Sequence, residues 1–422
     1  MGHQMIEKSF LTNLFEAAVQ AADPLEALRP HMPERPGGRT VVIGAGKGAA
    51  QLARAFEALW DGPLSGVVVT RYGYGAPCAQ IRVMEAAHPV PDEAGLAASE
   101  ALFEAVSGLC EDDLVVALIC GGGSALLPAP PEGLTLDDER ALNSALLASG
   151  APISAMNAIR KHVSRIKGGR LAEAAHPARV LSLVVSDVPG DDPAQVASGP
   201  TVPDAVRRQQ ALDLIRAHNI ELPEKIMAHI AREEAAAPRP DASGFARNEV
   251  RVIASAALSL EAAAQAAEGQ AVPAVILSDA IEGEAREVAR VHAAIARQVA
   301  AKDQPFAKPV VILSGGETTV TLRGKGRGGR NSEFLLSFAL EIQGVEGICA
   351  LAADTDGIDG SEENAGAFAD GQSAARMRTA GRDPVADLGN NDAYGAFEGL
   401  GDLYSPGPTG TNVNDFRAIL IR

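Results

Sequence analysis

Aromatic residues make up only 4% of the 422-residue chain, too few for the stacked-ring platforms that hold single-stranded nucleic acid. Cysteine is scarce as well. Cys78, Cys110, Cys120 and Cys349 are the four present, and none stands in a C-x-x-C pair, so neither structural zinc nor a redox dithiol is expected. Cys120 closes an apolar run and reads as an ordinary buried residue. Positive charge is in short supply: the net charge of −17 creates a field that draws in neither nucleic acid nor an anionic membrane surface. A local basic pocket can still collect a small anion. No apolar run approaches the length of a membrane span. The opening MGHQMIEKSFLTNLFEAAVQAA mixes charge with apolar residues at helical spacing and lacks the form of a signal peptide. Gly2 starts a poor myristoylation match, with Ile6 where Ser or Thr belongs. The expectation is a cytoplasmic protein with no nucleic-acid and no membrane partner. Oligomeric state is not legible, and a homodimer stays open.

Hydrophobic residues make up 46% and charged residues 22%, an ordinary globular balance, and the length favours two domains. Phe10, Leu11, Leu14, Phe15 and Val19 share one face of a helix that stops near Asp23-Pro24. Short apolar runs follow, among them TVVIGAGKG, GVVVTRYGYG, LVVALICGGGS, VLSLVVSDVPGDD, PVVILSGGETT and GICALAADTDG, with alanine-rich helical stretches between most of them. This alternation predicts an α/β protein with mostly parallel sheets flanked by helices. The charged, then proline-rich stretch at residues 233–248 reads as a linker. It divides the chain into a Rossmann-like domain, 1–240, and a second α/β domain, 241–422. Polar and glycine residues follow the strands, where open α/β sheets bind ligands. Their loops are expected to meet in a cleft between the domains.

Six loops carry the candidate chemistry. In VVIGAGKGAA, Gly44, Gly46 and Ala49 match the dinucleotide fingerprint G-x-G-x-x-G/A. Lys47 lies inside that turn, before a helix N-terminus suited to an anion. A nicotinamide site would want an acid about 20 residues on. The second strand ends instead in Thr70-Arg71, which would suit a 2′-phosphate. No G-x-x-x-x-G-K-[ST] is present, so the turn is not a P-loop. In CGGGSALL, Gly121, Gly122, Gly123 and Ser124 form a nest of backbone N–H groups for an anion. Ser124 fails the nucleophile elbow, because Leu126 stands where its last glycine belongs. In MNAIRKHVSRIKGGRLA, a basic helix sets Asn157, Arg160, Lys161 and Ser164 on one face. It reads equally as a solvated face or as a carboxylate or phosphate site. In SDVPGDDP, Asp187, Asp191 and Asp192 could ligate Mg²⁺ or cap turns, and Asp187 could take a proton from a substrate hydroxyl. In SGGETTVTLRGKGRGGRN, Gly315, Gly316, Glu317 and Thr318 precede a cluster of arginines. Arg330 begins a helix, and arginine suits the charge that spreads in phosphoryl transfer. In ADTDGIDG, Asp354, Asp356 and Asp359 resemble part of a calcium loop but lack its terminal glutamate.

In this order the loops resemble the class II glycerate 2-kinase family, built from a glycerate-kinase domain and a MOFRL domain. IRKHVSRIKGGRLA, SDVPGDDPAQVASGPT, GGETTVTLRGKGRGGRN and DTDGIDG carry the match, which covers nearly the whole chain. The resemblance implies two α/β domains with the active site between them. It implies ATP- and Mg²⁺-dependent phosphorylation of D-glycerate, mainly to 2-phosphoglycerate. It carries a catalytic lysine over to Lys47 and a catalytic arginine to Arg330, with Asp187 as the aspartate beside them. Asp187, Asp191 and Asp354 are the candidate metal ligands, and Arg160 or Lys161 the candidates for the glycerate carboxylate. Two departures, Gly48 for a commoner alanine and Ser332 for a commoner glutamine, bear on substrate preference. Members have also been described as hydroxypyruvate reductases, so an NAD(P)H-dependent reductase is the alternative, with His88 its candidate proton donor. A non-catalytic sugar-acid or nucleotide sensor is a third reading; it leaves Lys47 and the aspartates unexplained.

Overall fold

The computed structural model describes residues 2–422. They form two compact units, one spanning Pro24–Ile253, the other joining the segment that ends at Asp23 to Ala254–Arg422.

The first unit is built on six strands: β1 (Thr40–Ala45), β2 (Ser65–Arg71), β3 (Ile81–Ala86), β4 (Leu114–Cys120), β5 (Arg179–Val185) and β6 (Glu249–Ala254). Their order is β3-β2-β1-β4-β5-β6, the Rossmann order. The pairs β1–β2, β1–β4, β2–β3 and β4–β5 are parallel. β1 and β4 are buried at every position, so their runs are continuous rather than alternating. On one face Val41, Ile43, Val67, Val69, Val115, Ala117 and Ile119 pack with Ala98 and Leu102 of the helix Glu93–Ala105. That helix starts where it does because the Asp92 carboxylate accepts the Gly95 N–H at 3.0 Å. The chain leaves β1 towards β2 and β3, then returns to the other side as β4. The loops after β1 and β4 therefore border the topological switch point, where this fold binds ligands.

The second unit contains β7 (Ala274–Ile276), β8 (Gly283–Glu284), β9 (Val310–Gly316), β10 (Thr318–Thr319), β11 (Ile348–Asp354), β12 (Gly366–Asp370), β13 (Leu403–Tyr404) and β14 (Asp415–Ile421). The main sheet runs β13-β12-β11-β14-β9-β7, and β8 and β10 pair apart from it. Helices cover both faces. Ile312, Ala350, Ala352, Ile419 and Ile421 face Phe334, Phe338 and Ala293 of the helices Arg330–Glu341 and Ala285–Lys302. Val311, Leu351, Ala353, Phe416 and Leu420 face Leu11, Leu14 and Phe15 of the helix Gly2–Ala21 and Leu260 and Ala263 of Ala256–Glu268.

Two expectations change. The second sheet is not mostly parallel: β11–β12, β11–β14, β14–β9 and β12–β13 are antiparallel, and only β7–β9 is parallel among its pairings. Helices on both faces make every strand a continuous apolar run, so burial carries no information on direction. The division also differs from residue 240. The first unit keeps β6 and runs to Ile253, while the N-terminal helix belongs to the second unit. Its face of Phe10, Leu11, Leu14 and Phe15 is needed to cover that sheet.

Candidate active site

In the first unit the site grows from three strand ends. After β1 the chain turns at Gly46, whose N–H donates to Val69 O at 3.1 Å, and the Lys47 N–H donates to Gly121 O at 2.9 Å. The Thr70 hydroxyl donates to Lys47 O at 3.0 Å. The Lys47 backbone is thus fastened to both neighbouring strands before the helix Ala49–Leu59 begins. Among the described residues its ammonium has no ion pair.

Gly44 and Gly46, the fingerprint glycines, let β1 and its turn pack against β4. A Cβ on Gly44 would fall 2.5 Å from Leu118 O, and one on Gly46 2.3 Å from Cys120 O. The loop after β4 does crowd the candidate residues. A Cβ on Gly121 would stand 1.9 Å from Asp187 Oδ2. One on Gly122 would stand 2.9 Å from Lys47 Cγ and 3.3 Å from His88 Nε2, and one on Gly123 2.7 Å from Ala197 Cβ. The three glycines therefore let Lys47, His88 and Asp187 gather around a single bend. Burial first, then the charges of Lys47 and Arg71, push His88 down to about 4, so the imidazole is neutral at pH 7. Arg71 lies over the Tyr74 ring at 3.6 Å.

Beside this bend runs a polar chain. Ser124 Oγ lies 2.9 Å from Ser198 Oγ. Ser198 Oγ donates to Asn157 Oδ1 at 3.0 Å, which also accepts from Arg160 at 3.0 Å. Arg160 Nε donates to Asn143 Oδ1 at 2.9 Å. Arg160 is thus a largely buried guanidinium whose hydrogen bonds go to neutral amides, and burial lowers its pKa. That arrangement suits an anionic ligand.

Lys161 does not share this role. It is 1% exposed and ion-paired with Asp204. Lys167 is likewise committed to Glu139 at 2.8 Å, and Arg170 to the carbonyls of Lys161 and Lys167. The expected long basic helix ends at Lys161, and Ser164 lies beyond it, donating nothing to that face. Asp192 caps its own turn through the Ala194 N–H at 3.0 Å, and Asp191 occupies its left-handed corner at φ 53°.

In the second unit the helix Arg330–Glu341 is capped by Asp359, which accepts the N–H groups of Asn331 at 2.9 Å and Ser332 at 2.8 Å. The cap fixes Arg330 at the first turn, within a cage of acids. Its Nε donates to Asp415 Oδ1 at 2.5 Å, one terminal nitrogen to Asp354 at 2.7 Å, and the other reaches Glu317 at 3.4 Å. Thr318 donates to Asp415 through its N–H at 3.1 Å, so the glycine loop is tied into the same cage. Gly316 is there for space: a Cβ would meet Ile281 O at 2.2 Å. Gly315 sits beside it, where a Cβ would meet Asp415 O at 3.3 Å. Burial, with Asp356 and Asp415 close by, holds the Asp354 carboxyl well above its ordinary value even against Arg330.

Among the described residues no three His, Cys, Asp or Glu side chains form a metal cluster. Asp187 and Asp191 lie in the first unit and Asp354 in the second. A single carboxylate still fits Mg²⁺, which keeps most of its waters and binds largely through substrate phosphates. Asp415 and Arg417 escaped sequence reasoning. Their signal was there: two opposite charges at alternate positions of the otherwise apolar DFRAILI, both wholly buried.

A Rossmann-ordered unit with a lysine free of ion pairs at its switch point, and a second α/β unit with a caged arginine, define a two-unit α/β class. The comparisons place it further. Residues 10–231 match the domain of unknown function DUF4147, and residues 310–415 the MOFRL family. The chain is 38% identical to D-glycerate 2-kinase of Thermotoga maritima, over 97% of each chain. It is 53% identical to an Agrobacterium vitis protein that bears the provisional name hydroxypyruvate reductase, over 98% of this chain and 94% of that one. The crystal structure of Thermotoga maritima glycerate kinase superposes with a TM-score of 0.91 at 37% identity, covering 99% of this chain and 100% of that one. The chain belongs to the class II glycerate kinase family, with its DUF4147 and MOFRL domains.

Proposed function

We propose that this protein is a glycerate 2-kinase, transferring the γ-phosphoryl group of ATP to the 2-hydroxyl of D-glycerate. The observation that carries the reading is the bend at Gly121–Gly123, which gathers a lysine without an ion-pair partner, a neutral histidine and an aspartate. In the step, the 2-hydroxyl oxygen attacks the γ-phosphorus. The bond from that phosphorus to the β,γ-bridging oxygen breaks, and ADP leaves with the electron pair. Asp187 accepts the hydroxyl proton, or orients the hydroxyl for its loss. Lys47 meets the charge on the phosphoryl oxygens, a preorganised contribution that needs no solvent rearrangement. Arg330 is the second cation for this role, because phosphoryl transfer leaves the protein little besides positioning and charge to supply. Arg160 takes the glycerate carboxylate. Mg²⁺ would enter with ATP and supply charge neutralisation on the phosphates, and Asp187 would help to hold it.

The 53% identity to the Agrobacterium vitis protein keeps the reductase reading in view. Against NADH stands the missing acid at the end of β2, where a nicotinamide ribose would want one, although Arg71 there would suit the 2′-phosphate of NADPH. Here Thr70 is spent on Lys47 O. Phosphorus NMR of a mixture of protein, ATP, Mg²⁺ and D-glycerate tests both readings. The kinase gives 2-phosphoglycerate and ADP, and Lys47→Ala lowers turnover by about 100- to 1,000-fold. No phosphorylated product, together with NAD(P)H oxidation by hydroxypyruvate, would overturn the proposal.

A further inference from the structure

The acids around Arg330 are not equivalent. Glu317 is 56% exposed and 3.4 Å away, a contact worth little in water. Asp354 holds one terminal nitrogen. Asp415 alone takes Nε, leaving the outer edge of the guanidinium for other oxygens. Asp415 is itself immobilised: wholly buried, it also accepts from Asn331 Nδ2 at 2.9 Å, from the Thr318 N–H at 3.1 Å and hydroxyl at 3.2 Å, and from Arg417. Arg417 in turn donates to Thr318 Oγ1 at 3.0 Å. One carboxylate thus joins the glycine loop after β9, the first turn of the Arg330 helix and the start of β14.

We propose that Asp415 is the positioning residue of the reaction: it grips Arg330 through Nε and aims the two terminal nitrogens at the phosphoryl oxygens. It touches no substrate. Phosphate and carboxylate are recognised bidentately by the planar guanidinium, and that geometry works only if the plane is fixed. Glu317, exposed and 3.4 Å away, and Asp354, buried and 2.7 Å away, hold the terminal nitrogens, and these are the contacts that phosphoryl oxygens would have to replace. Asp415 stays ionised for this task although burial opposes it, because Arg417 and Arg330 lower its pKa below the ordinary value. Arg417 therefore balances the charge that would otherwise be left when Arg330 turns to phosphate.

The inference rests on the kinase reading, and a double-mutant cycle in the ATP–glycerate assay tests it. Asp415→Asn should lower kcat on the order of 100-fold, the scale of an ångström misplacement, with KM for glycerate unchanged. In an Arg330→Ala background the same substitution should cost nothing further, because Asp415 acts only through Arg330. Added guanidinium ion should partly restore Arg330→Ala and should fail to restore the double variant. If Asp415→Asn does not fold, Thr318→Val, nearly the same shape, removes the hydroxyl that donates to Asp415 and accepts from Arg417. It should give a smaller loss that likewise vanishes without Arg330. Losses that multiply in both backgrounds, or equal rescue by guanidinium, would overturn the assignment while leaving the kinase reading intact. Absence of any ATP-dependent turnover in the wild-type protein would remove both.

Discussion

Adding one methyl group at Gly121 is the sharpest test of the bend. Gly121 has no left-handed backbone to defend, so alanine is tolerated conformationally. Its Cβ, however, would lie 1.9 Å from Asp187 Oδ2 and 2.2 Å from Cγ, well inside any real contact. The obstacle is the whole Asp187 side chain, with its Cβ also 2.8 Å away, so the carboxylate must swing away by roughly an ångström or more and the loop carrying it must give. The fold should survive at a cost of about 1–3 kcal/mol, the usual scale of overpacking. Catalysis should not: misplacing a reacting group by that distance costs on the order of 100-fold, about 2.7 kcal/mol in the barrier. Two neighbours bracket the result. Gly48→Ala would place its Cβ 3.7 Å from Cys120 Sγ, an ordinary contact, and should keep near-wild-type turnover. Gly46→Ala would meet Cys120 O at 2.3 Å from a backbone with φ 133°, and should prevent folding of the unit. The assay is coupled ADP release for kcat, with circular dichroism for folding. A folded Gly121→Ala enzyme with wild-type kcat would refute the role given to Asp187.

Other substitutions separate binding from architecture. Arg160→Met should raise KM for glycerate about 10- to 100-fold, the scale of one charge-assisted contact, and leave KM for ATP unchanged in steady-state kinetics. Lys161→Met should instead lower stability by about 3–5 kcal/mol, since it strands Asp204, and a urea titration would register it; an unchanged midpoint would return Lys161 to the binding residues. His292, 3% exposed, is pushed down to about 4 by burial. The unfolded chain therefore binds the extra proton first, and stability falls as pH drops from about 6.5 to about 4, by about 3 kcal/mol in all. His292→Gln should flatten that part of the urea-midpoint profile.

The legible part of this protein was the part written in local pattern. Strand, glycine turn and helix around Lys47 could be read because a parallel β–loop–α unit keeps its elements and its ligand loop contiguous. The direction of β11, β12 and β14 could not, because both faces of that sheet are covered and an apolar run looks the same in either direction. Gly44 and Gly46 show a related limit. The fingerprint fixes that no side chain fits there but not what occupies the space, and here it is the backbone of β4.

Charge was misread in a more instructive way. The five cations between Arg160 and Arg170 stood out because they are rare in an acidic chain, yet Lys161 and Lys167 are neutralised by Asp204 and Glu139, acids far from them in sequence. Arg160 and Arg170 hydrogen-bond to amides and carbonyls instead, and Lys47, in its glycine turn, has no ion pair among the described residues. The converse holds in the second unit. Arg330 is surrounded by three acids, which by itself would suggest a structural ion pair. What sets it apart is that one terminal nitrogen carries only the weak, exposed Glu317 contact, while the buried Asp415 and Asp354 carry the strong ones. A guanidinium built only for stability would bury the whole fork, because each unsatisfied terminal nitrogen costs free energy. The partition of contacts around a charge, and not the number of them, separates the arginine that holds the fold from the one that the fold holds out.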